Sequence, residues 1–293
     1  MKKILQIGTK GQLGWELLRT CAPLGDVIAL DYPAVDLADS GGLQALIRNT
    51  KPDIIINAAA YTNVDKAESE PEKARAINAT GPGILAEEAR KIDAVLVHYS
   101  TDYVFDGTKD SPYNETDRPN PLNVYGQTKL EGEECIAAAG CSYLVLRSSW
   151  IYSKRSGFVA KVLEWARSQE VLRVVDDQVS GPTSARMLAE LTALLLAGAG
   201  SDPFAWLAER AGVYHCAGDG ACSRYAWAQE ILKLDPRREE QKVRELLPAS
   251  SDEFPTPAAR PLVSALDCGK LERVFGLRLP PWQTALKMAM EAT

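Results

Sequence analysis

A tyrosine and a lysine four residues apart, Tyr125 and Lys129, form the pair of side chains with the clearest chemical potential in this chain. On a helix, residues i and i+4 share one face, so a phenol and an ammonium group would lie side by side. A phenol normally titrates at about pH 10, and a neighbouring cation favours the phenolate. We therefore expect Lys129 to lower the pKa of Tyr125, which would make the phenol a general acid or base near neutral pH.

A glycine-rich turn lies near the start of the chain, directly after the short apolar run Lys3–Ile7. Its glycines are Gly8, Gly11 and Gly14, and an amphipathic helix follows from Trp15. Strand, glycine turn and helix in this order are typical of a dinucleotide-binding loop. Gly8 would allow the tight turn, Gly11 the close approach of a pyrophosphate, and Gly14 the packing of helix on strand. The helix N-terminus would then face the phosphates.

A second group of polar residues ends another apolar run, Val95–Tyr99. Ser100, Thr101 and Asp102 follow it, so they should emerge at the carboxyl end of a central strand, where open parallel sheets bind ligands. A hydroxyl group there could donate a hydrogen bond to a substrate carbonyl oxygen. The alternative is that Ser100 or Thr101 only caps the turn that follows.

Composition and charge exclude several classes of protein. The net charge is −6 without a Lys/Arg cluster, which argues against a nucleic-acid partner. Six cysteines lack a C-x-x-C motif, and with only His98 and His215 as histidines we expect no transition-metal site. The longest apolar run, Leu188–Ala199, is too short to span a membrane. A strand so close to Met1 leaves no room for a signal peptide, so we expect reduced thiols and a cytoplasmic location.

Strands and helices alternate through the first half of the chain. We predict a helix over Leu43–Arg48, a long helix from about Asp65 to Arg90, and five strands at Lys3–Ile7, Asp26–Leu30, Asp53–Asn57, Val95–Ser100 and Ser142–Arg147. Continuous apolar strands between helices predict an α/β fold, a Rossmann-type doubly wound parallel sheet. We expect an NAD(P)-binding core over 1–150 and a smaller C-terminal substrate-binding lobe over 151–293. The two would be interleaved, because Val213–Cys216 could return to the sheet as a strand.

The chain resembles the extended short-chain dehydrogenase/reductases, whose Rossmann loop has the spacing G-x-x-G-x-x-G, and within them the family of dTDP-4-dehydrorhamnose reductases. The segments that carry the resemblance are Gly8–Gly14, Asn57–Glu68, Ser100–Gly107, Pro121–Lys129, Arg147–Tyr152 and Pro255–Pro261. They follow one another with compatible spacing over nearly the whole chain. Asp176–Thr183 departs from the pattern, in which a glycine or an aromatic residue stands closer to the glutamine.

The resemblance implies an NADPH-dependent reduction, with NADH as a second cofactor. The substrate would be dTDP-4-dehydro-6-deoxy-L-mannose, reduced at C4 to dTDP-L-rhamnose, a precursor of cell-surface polysaccharide. Tyr125 would protonate the developing alkoxide, Lys129 would also hydrogen-bond the nicotinamide ribose, and Thr101 would hydrogen-bond the carbonyl oxygen. Asp102 would lie beside the substrate, Trp150 would pack against the sugar or in the core, and Arg260 would close on the diphosphate, since a guanidinium matches phosphate geometry.

Acidic and basic residues near the loop bear on the choice of cofactor. Asp31 follows the second strand, where a carboxylate binds the ribose 2′-hydroxyl and favours NAD, whereas Lys10 could offset that charge. Asp36 and Leu37 would line the adenine pocket, and Ala58–Ala60 would leave space for the cofactor backbone. The expected cofactor-binding residues are Gly8, Lys10, Gly11, Gln12, Leu13, Gly14, Asp31, Asp36, Leu37, Ala58, Ala59, Ala60, Tyr125 and Lys129.

Other functions of the same fold stay open. A nucleotide-sugar epimerase would share the loop and the Tyr125–Lys129 pair. A regulatory subunit similar to the methionine adenosyltransferase beta subunit would not need to keep the full catalytic set. A 4,6-dehydratase is disfavoured, because only Asp102 follows Thr101 where a dehydratase has two acidic residues. The resemblance also implies a homodimer, with structural Mg²⁺ bound by glutamates of two chains. The candidates for that site are Glu16, Glu190 and Glu291, and the alternative is that all three are solvated surface charges.

Overall fold

The computed structural model describes residues 2–291. In chain order, the strands and helices are β1 (Lys2–Ile7), α1 (Gln12–Thr20), β2 (Gly25–Leu30), α2 (Ser40–Thr50), β3 (Ile54–Asn57), α3 (Val64–Ala67), α4 (Pro71–Arg75), α5 (Gly81–Lys91), β4 (Val95–Thr101), α6 (Val124–Ala139), β5 (Ser142–Ser148), β6 (Ile151–Tyr152), α7 (Phe158–Ser168), β7 (Val171–Val175), β8 (Val179–Ser180), β9 (Thr183–Ser184), α8 (Ala185–Gly198), α9 (Pro203–Ala208), β10 (Gly212–His215), β11 (Cys222–Ser223), α10 (Arg224–Lys233), β12 (Glu245–Ala249), α11 (Gly269–Phe275) and α12 (Trp282–Glu291).

Six strands form the central sheet in the order β10-β5-β4-β3-β1-β2, and every neighbouring pair is parallel. The chain leaves β1 toward one edge of the sheet and continues from β3 toward the other. The topological switch point therefore lies between the carboxyl ends of β1 and β3, where open α/β sheets form a ligand crevice. The predicted Rossmann-type parallel sheet is confirmed.

Both faces of the sheet are covered, which explains the continuous apolar strands. In β3, Ile54 and Ile56 pack into the core cluster on one face, which includes residues of α1 and α8, and Ile55 packs into the cluster on the other. The second cluster includes residues of α2, α5 and α6. This alternation follows from the two-residue repeat of a strand.

The predicted long helix from about Asp65 to Arg90 is wrong, because the structure divides this segment. α3 ends at Ala67 and α4 begins at Pro71, whose ring suits a first helical position but removes an internal hydrogen bond. A single π-helical segment, Ala76–Thr80, then leads into α5. The segment is helical over most of its length, as predicted, but it is interrupted before Pro71.

The C-terminal part of the chain contributes to two cores. β10 joins the central sheet beside β5, as expected for Val213–Cys216, and residues of α8 cover the sheet. A separate apolar cluster contains Tyr152, Trp227 and Trp282 and lies within the C-terminal part. The short strand pairs β6–β9, β8–β11 and β7–β12 are also found there. We retain the division at residue 150 as a proposal for how the two lobes are organised.

Candidate active site

The three glycines of the N-terminal loop have distinct steric environments. Gly8 has φ +88°, and a Cβ atom there would lie 2.6 Å from the backbone nitrogen of Ala59. A Cβ atom on Gly14 would lie 1.6 Å from the carbonyl oxygen of Gly8. Helix α1 can therefore pack this closely against the end of β1 only when residue 14 is a glycine. At Gly11, no atom lies within 4 Å of the equivalent position, which leaves one side of the loop open to a ligand.

A cavity of about 590 Å³ lies over this loop at the switch point. Of the predicted cofactor residues, it is lined by Gly8, Lys10, Gly11, Asp31, Asp36, Leu37, Ala58, Ala59 and Ala60. The Asp31 carboxylate accepts a hydrogen bond from the Lys10 backbone N–H at 2.7 Å, and the Lys10 ammonium group donates to the Tyr32 carbonyl at 2.9 Å. Lys73 and Tyr32 also line the cavity and were not predicted. Lys73 lies on α4, far from the loop in sequence, so no local motif could have identified it.

Gln12 and Leu13 do not direct their side chains toward this cavity. The Gln12 amide donates to the Ile151 carbonyl at 3.3 Å and accepts from the Ser153 N–H at 2.7 Å, so it joins the loop to the C-terminal part of the chain. Leu13 is buried in the core. Any contact of these two residues with a cofactor would be made by their backbone N–H groups, which belong to the first turn of α1.

Helix α6 places Tyr125 beside the end of β4. Asn123 caps the helix: its side chain accepts from the Gly126 N–H at 2.8 Å and donates to the Ala259 carbonyl at 2.7 Å. An asparagine at this position satisfies one of the free N–H groups of the first helical turn. The ring of Tyr125 contacts Tyr103 edge to face, with 5.9 Å between centroids. Burial raises the pKa of Tyr125, and a hydrogen bond with the Thr101 hydroxyl group partly opposes that rise, so the two predicted residues are neighbours.

The expectation that Lys129 lowers the pKa of Tyr125 is wrong for this structure. Burial raises the pKa of Tyr125 above its ordinary value of 10.0, and the negative charge of Asp102 acts in the same direction. The Lys129 ammonium nitrogen lies instead 2.9 Å from Nε2 of His98 and 2.6 Å from the carbonyl oxygen of Tyr99. Burial also lowers the pKa of Lys129 from 10.5 to about 8. Tyr125 is therefore a protonated phenol at neutral pH.

Asp102 is a buried carboxylate held by three hydroxyl groups. It accepts hydrogen bonds from Ser264 at 2.5 Å, from Ser180 at 3.2 Å and from Thr101 at 3.2 Å. Burial raises its pKa from 3.8 to about 6, and these hydrogen bonds oppose that change. The two serines come from distant parts of the chain, so Asp102 joins the end of β4 to two segments of the C-terminal part of the chain. Sequence analysis placed Asp102 at the site but missed both serines.

A second cavity, of about 550 Å³, lies between β7, α10 and the loop around Pro255. Two arginines line it, Arg224 and the predicted Arg260. Arg260 donates to the Asp65 carboxylate at 2.8 Å, so it is ion-paired in this structure. Arg224 was missed: its guanidinium carbon lies 4.1 Å from the centroid of the Trp150 ring, a cation–π contact. Both guanidinium groups act electrostatically on Tyr103, which contacts Tyr125, so this cavity adjoins the predicted catalytic tyrosine.

Trp150 packs against residues of the C-terminal part of the chain. Its ring stacks on that of Trp227, with 5.6 Å between centroids and 12° between planes, and it is partly buried. Its backbone has φ +42°, a left-handed conformation that a bulky side chain rarely adopts. The ring therefore has Trp227 and Arg224 as partners, and Arg224 lines the second cavity. The predicted contact of Trp150 with the sugar stays a prediction.

The three glutamates considered for Mg²⁺ form ion pairs in this structure. Glu16 and Glu190 lie 3.6 and 2.5 Å from Arg186, and Glu291 lies 3.9 Å from Lys287. Within residues 2–291, no group of three or more His, Cys, Asp or Glu side chains is arranged to hold a metal ion. Over the same residues, no helix has the length and apolar character required to cross a bilayer.

The parallel sheet, the glycine loop at its switch point and the Thr101–Tyr125 pair define a Rossmann-type oxidoreductase of the short-chain dehydrogenase/reductase class. The model of the family described as the RmlD substrate binding domain matches residues 1–293, and the chain belongs to that family.

Relatives with assigned functions support this placement. The chain is 41% identical over 292 residues to the dTDP-4-dehydrorhamnose reductase of Salmonella typhimurium, covering 97% of this chain and 95% of that protein. A crystal structure of a Clostridium acetobutylicum dTDP-4-dehydrorhamnose reductase aligns with a TM-score of 0.90 at 35% identity, covering 99% and 98%. The Bacillus anthracis enzyme, solved in complex with NADP, aligns with a TM-score of 0.89 at 32% identity, covering 100% and 99%.

Proposed function

We propose that this protein reduces the C4 ketone of dTDP-4-dehydro-6-deoxy-L-mannose to dTDP-L-rhamnose, with NADPH as the reductant. The observation that carries the proposal is the contact between Thr101 and Tyr125 at the carboxyl end of β4, where a hydroxyl group and a protonated phenol lie together. Family membership and the full-length relatives support the substrate. When bound, NADPH supplies the hydride that reduces the ketone.

The residues of this chain supply the proton and hold the carbonyl group. Tyr125 donates its phenolic proton to the oxygen as the alkoxide develops, and the raised pKa keeps that proton available at neutral pH. The Thr101 hydroxyl group donates a hydrogen bond to the same oxygen, an interaction that strengthens as negative charge grows in the transition state. Lys129 hydrogen-bonds the ribose next to the nicotinamide. It would do so while its nitrogen donates to the Tyr99 carbonyl oxygen, 2.6 Å away.

Arg224 and Arg260 bind the diphosphate of the nucleotide sugar in this proposal. A guanidinium group presents paired N–H donors that match phosphate oxygens, and the two arginines line one cavity. Trp150 keeps the Arg224 side chain in place through the cation–π contact. Asp65 holds Arg260 by an ion pair, so a diphosphate would compete with that carboxylate for the guanidinium.

NADPH is the proposed cofactor, with NADH as a second one. Asp31 lines the cavity where a ribose 2′-hydroxyl would bind and disfavours a 2′-phosphate, whereas Lys10 and Lys73 line the same cavity with positive charge. Asp31 already accepts a hydrogen bond from the Lys10 backbone N–H, which offsets part of its charge. The NADP complex of the Bacillus anthracis relative supports this assignment.

Replacement of Tyr125 by Phe tests the mechanism. It removes the proton donor and keeps the ring, so turnover should fall by roughly 10² or more, the scale of general acid catalysis. The measurement is NADPH oxidation with dTDP-4-dehydro-L-rhamnose, compared with UDP- and GDP-linked 4-keto sugars. Tyr143→Phe is the matched control, since Tyr143 lies in β5 among the core residues on one sheet face. A Tyr125→Phe enzyme with near-normal turnover contradicts the proposal.

The epimerase and the regulatory subunit make different predictions. An epimerase regenerates its cofactor in each cycle and retains NAD during purification, whereas a reductase releases the oxidised cofactor at every turnover. Ultraviolet absorbance of the purified protein therefore distinguishes a reductase from an epimerase. A regulatory subunit would show no turnover with any 4-keto sugar, although Thr101, Tyr125 and Lys129 are all retained.

We further propose a cytoplasmic homodimer. All six cysteines, each among the described residues, are free thiols, which supports a reducing compartment. Structural Mg²⁺ at the dimer would require carboxylates from two chains, with Glu16 and Glu190 released from Arg186. Sedimentation with and without EDTA, at a concentration near the dimer dissociation constant, tests this part. Unchanged sedimentation would remove Mg²⁺ from the proposal.

A further inference from the structure

One buried asparagine binds the loop that follows β3. This β3 loop (residues 58–62) lines the cavity of about 590 Å³ at the switch point. Asn78, in the π-helical segment before α5, is fully buried. Its side-chain oxygen accepts from the Tyr61 backbone N–H at 2.8 Å, and its amide nitrogen donates to the Tyr61 carbonyl oxygen at 3.1 Å. Within residues 2–291, Tyr61 makes no hydrogen bond between backbone groups, so Asn78 supplies both of its backbone partners.

The second hydrogen of the Asn78 amide reaches helix α6. It is donated to Oγ1 of Thr128 at 3.2 Å, and the Thr128 hydroxyl group donates to the Tyr125 carbonyl oxygen at 3.1 Å. Thr128 is fully buried and directly precedes Lys129 in α6. The oxygen and both amide hydrogens of Asn78 therefore have partners. Asparagine is the shortest side chain that offers an acceptor together with two donors, so a smaller residue could not make these three bonds.

The backbone of the π-helical segment also contacts α6. A Cβ atom on Gly132 would lie 2.1 Å from the Asn78 carbonyl oxygen, so a glycine in α6 permits this close approach. Ile77, in the same segment, lines the cavity. Single π-helical turns within helices are frequent at functional sites. Here one such turn contacts the cavity, the β3 loop and helix α6.

We propose that Asn78 and Thr128 are positioning residues that hold the β3 loop at a fixed distance from helix α6. The β3 loop forms part of the wall of the proposed cofactor cavity, and α6 carries the proposed proton donor Tyr125. Hydride transfer requires the nicotinamide and the ketone to be in close contact, so these two parts of the site must keep a constant separation. The inference rests on the cofactor site and on the role of Tyr125 proposed above.

Thr128→Val and Thr128→Ser distinguish a hydrogen bond from packing. Valine keeps the volume but leaves one Asn78 N–H buried without an acceptor, whereas serine keeps the hydroxyl group. We expect valine to raise the Kd for NADPH about tenfold, which corresponds to about 1.4 kcal/mol, and serine to change it by less than about twofold. Affinity falls because a loop that is held less firmly is less often in the position that binds the cofactor.

The measurement is titration of the protein with NADPH, followed by nicotinamide fluorescence in the absence of sugar. A wrong assignment of the sugar substrate would therefore not affect the result. At saturating NADPH, KM for the dTDP-sugar should be the same in the parent and in both Thr128 variants. Unchanged NADPH affinity in Thr128→Val, or equal losses in the valine and serine variants, would overturn the inference.

Thr192→Val is the matched control, because it also removes a buried hydroxyl group. That group lies 2.8 Å from the Tyr99 hydroxyl group and donates to the Leu188 carbonyl oxygen at 2.9 Å. Thr192 belongs to α8 and is not among the residues that line the cavity. We expect NADPH affinity equal to that of the parent, even where stability to urea falls. A loss as large as in Thr128→Val would indicate general destabilisation and would overturn the inference.

Asn78→Ala tests the other end of the same connection. It removes all three side-chain hydrogen bonds, so its loss of NADPH affinity should be at least as large as that of Thr128→Val. Thr128 then has no Asn78 amide to accept from, so adding Thr128→Val should weaken binding by less than about twofold more. Losses that multiply in the double variant would show independent roles and would contradict the inference. If Asn78→Ala does not fold, the Thr128 variants decide the matter alone.

Discussion

The buried carboxylate of Asp102 should reduce the stability of the folded protein at neutral pH, although it is held by three hydroxyl groups. Its pKa is raised from 3.8 to about 6 by burial. A carboxyl whose pKa is raised on folding binds more protons in the folded state, so its contribution to stability is present below about pH 4 and is lost as pH rises through about 6. A shift of about two pKa units corresponds to about 3 kcal/mol above that range.

Replacement of Asp102 by Asn removes this cost and keeps the shape and an oxygen acceptor for Ser264. We expect the variant to be more stable than the parent by about 3 kcal/mol at pH 7.5, and the difference to shrink toward zero at pH 4. Urea unfolding followed by tryptophan fluorescence at both pH values measures it. The value is well defined if both proteins unfold with one transition of the same steepness.

Asp106 provides a control of opposite sign, four residues further along the same turn. Hydrogen bonds from Asn120 and then Thr108 hold the pKa of this carboxyl well below its usual value of 3.8. Its ionised form is therefore favoured by folding, and Asp106→Asn should lower stability at pH 7.5 and have little effect in strong acid. If Asp102→Asn were less stable at pH 7.5, or if its effect were the same at both pH values, the assignment of a costly buried charge would be refuted.

Three other substitutions test separate parts of the structure. Glu133→Gln removes the partner of the buried Arg147 guanidinium and should cost roughly 3–5 kcal/mol of unfolding free energy, measured by urea denaturation. Gly14→Ala places a Cβ atom 1.6 Å from the Gly8 carbonyl oxygen, so NADPH binding, followed by cofactor fluorescence, should be lost together with part of the stability. Arg224→Gln removes charged hydrogen bonds to the diphosphate and should raise KM for the dTDP-sugar roughly 10- to 100-fold, with little change in kcat.

Residues close together in sequence were the ones that sequence analysis could identify. Gly8, Gly11 and Gly14 belong to one turn, and Thr101 ends the strand that lies beside the Tyr125 helix. Each could be identified because the residue and the predicted strand or helix beside it lie within about ten residues of each other in sequence. The same reasoning placed Asp102, and it predicted the parallel sheet from continuous apolar strands.

Residues that depend on packing between distant segments were not identified. Ser180, Arg224 and Ser264 are distant in sequence from Thr101 and Tyr125 and are brought near them by the packing of the C-terminal part of the chain, and they have no motif of their own. The effect of Lys129 on the Tyr125 pKa was predicted wrongly for a related reason. Helical spacing places it on the same face as Tyr125, but His98 on a neighbouring strand determines where its nitrogen lies.

The return of β10 to the central sheet affects how this protein is made in the cell. Strand β10 (Gly212–His215) pairs with β5 at one edge of the sheet. Residues of α1 and α8 pack together in the apolar cluster on one face of that sheet. A nascent chain of only the first 150 residues therefore has an unpaired β5 edge, and the sheet face that α1 covers still lacks the apolar residues of α8. At roughly 5–20 residues per second, several seconds pass before β10 emerges. During that time the nascent chain exposes apolar surface and an unpaired strand, which are the features that chaperones bind.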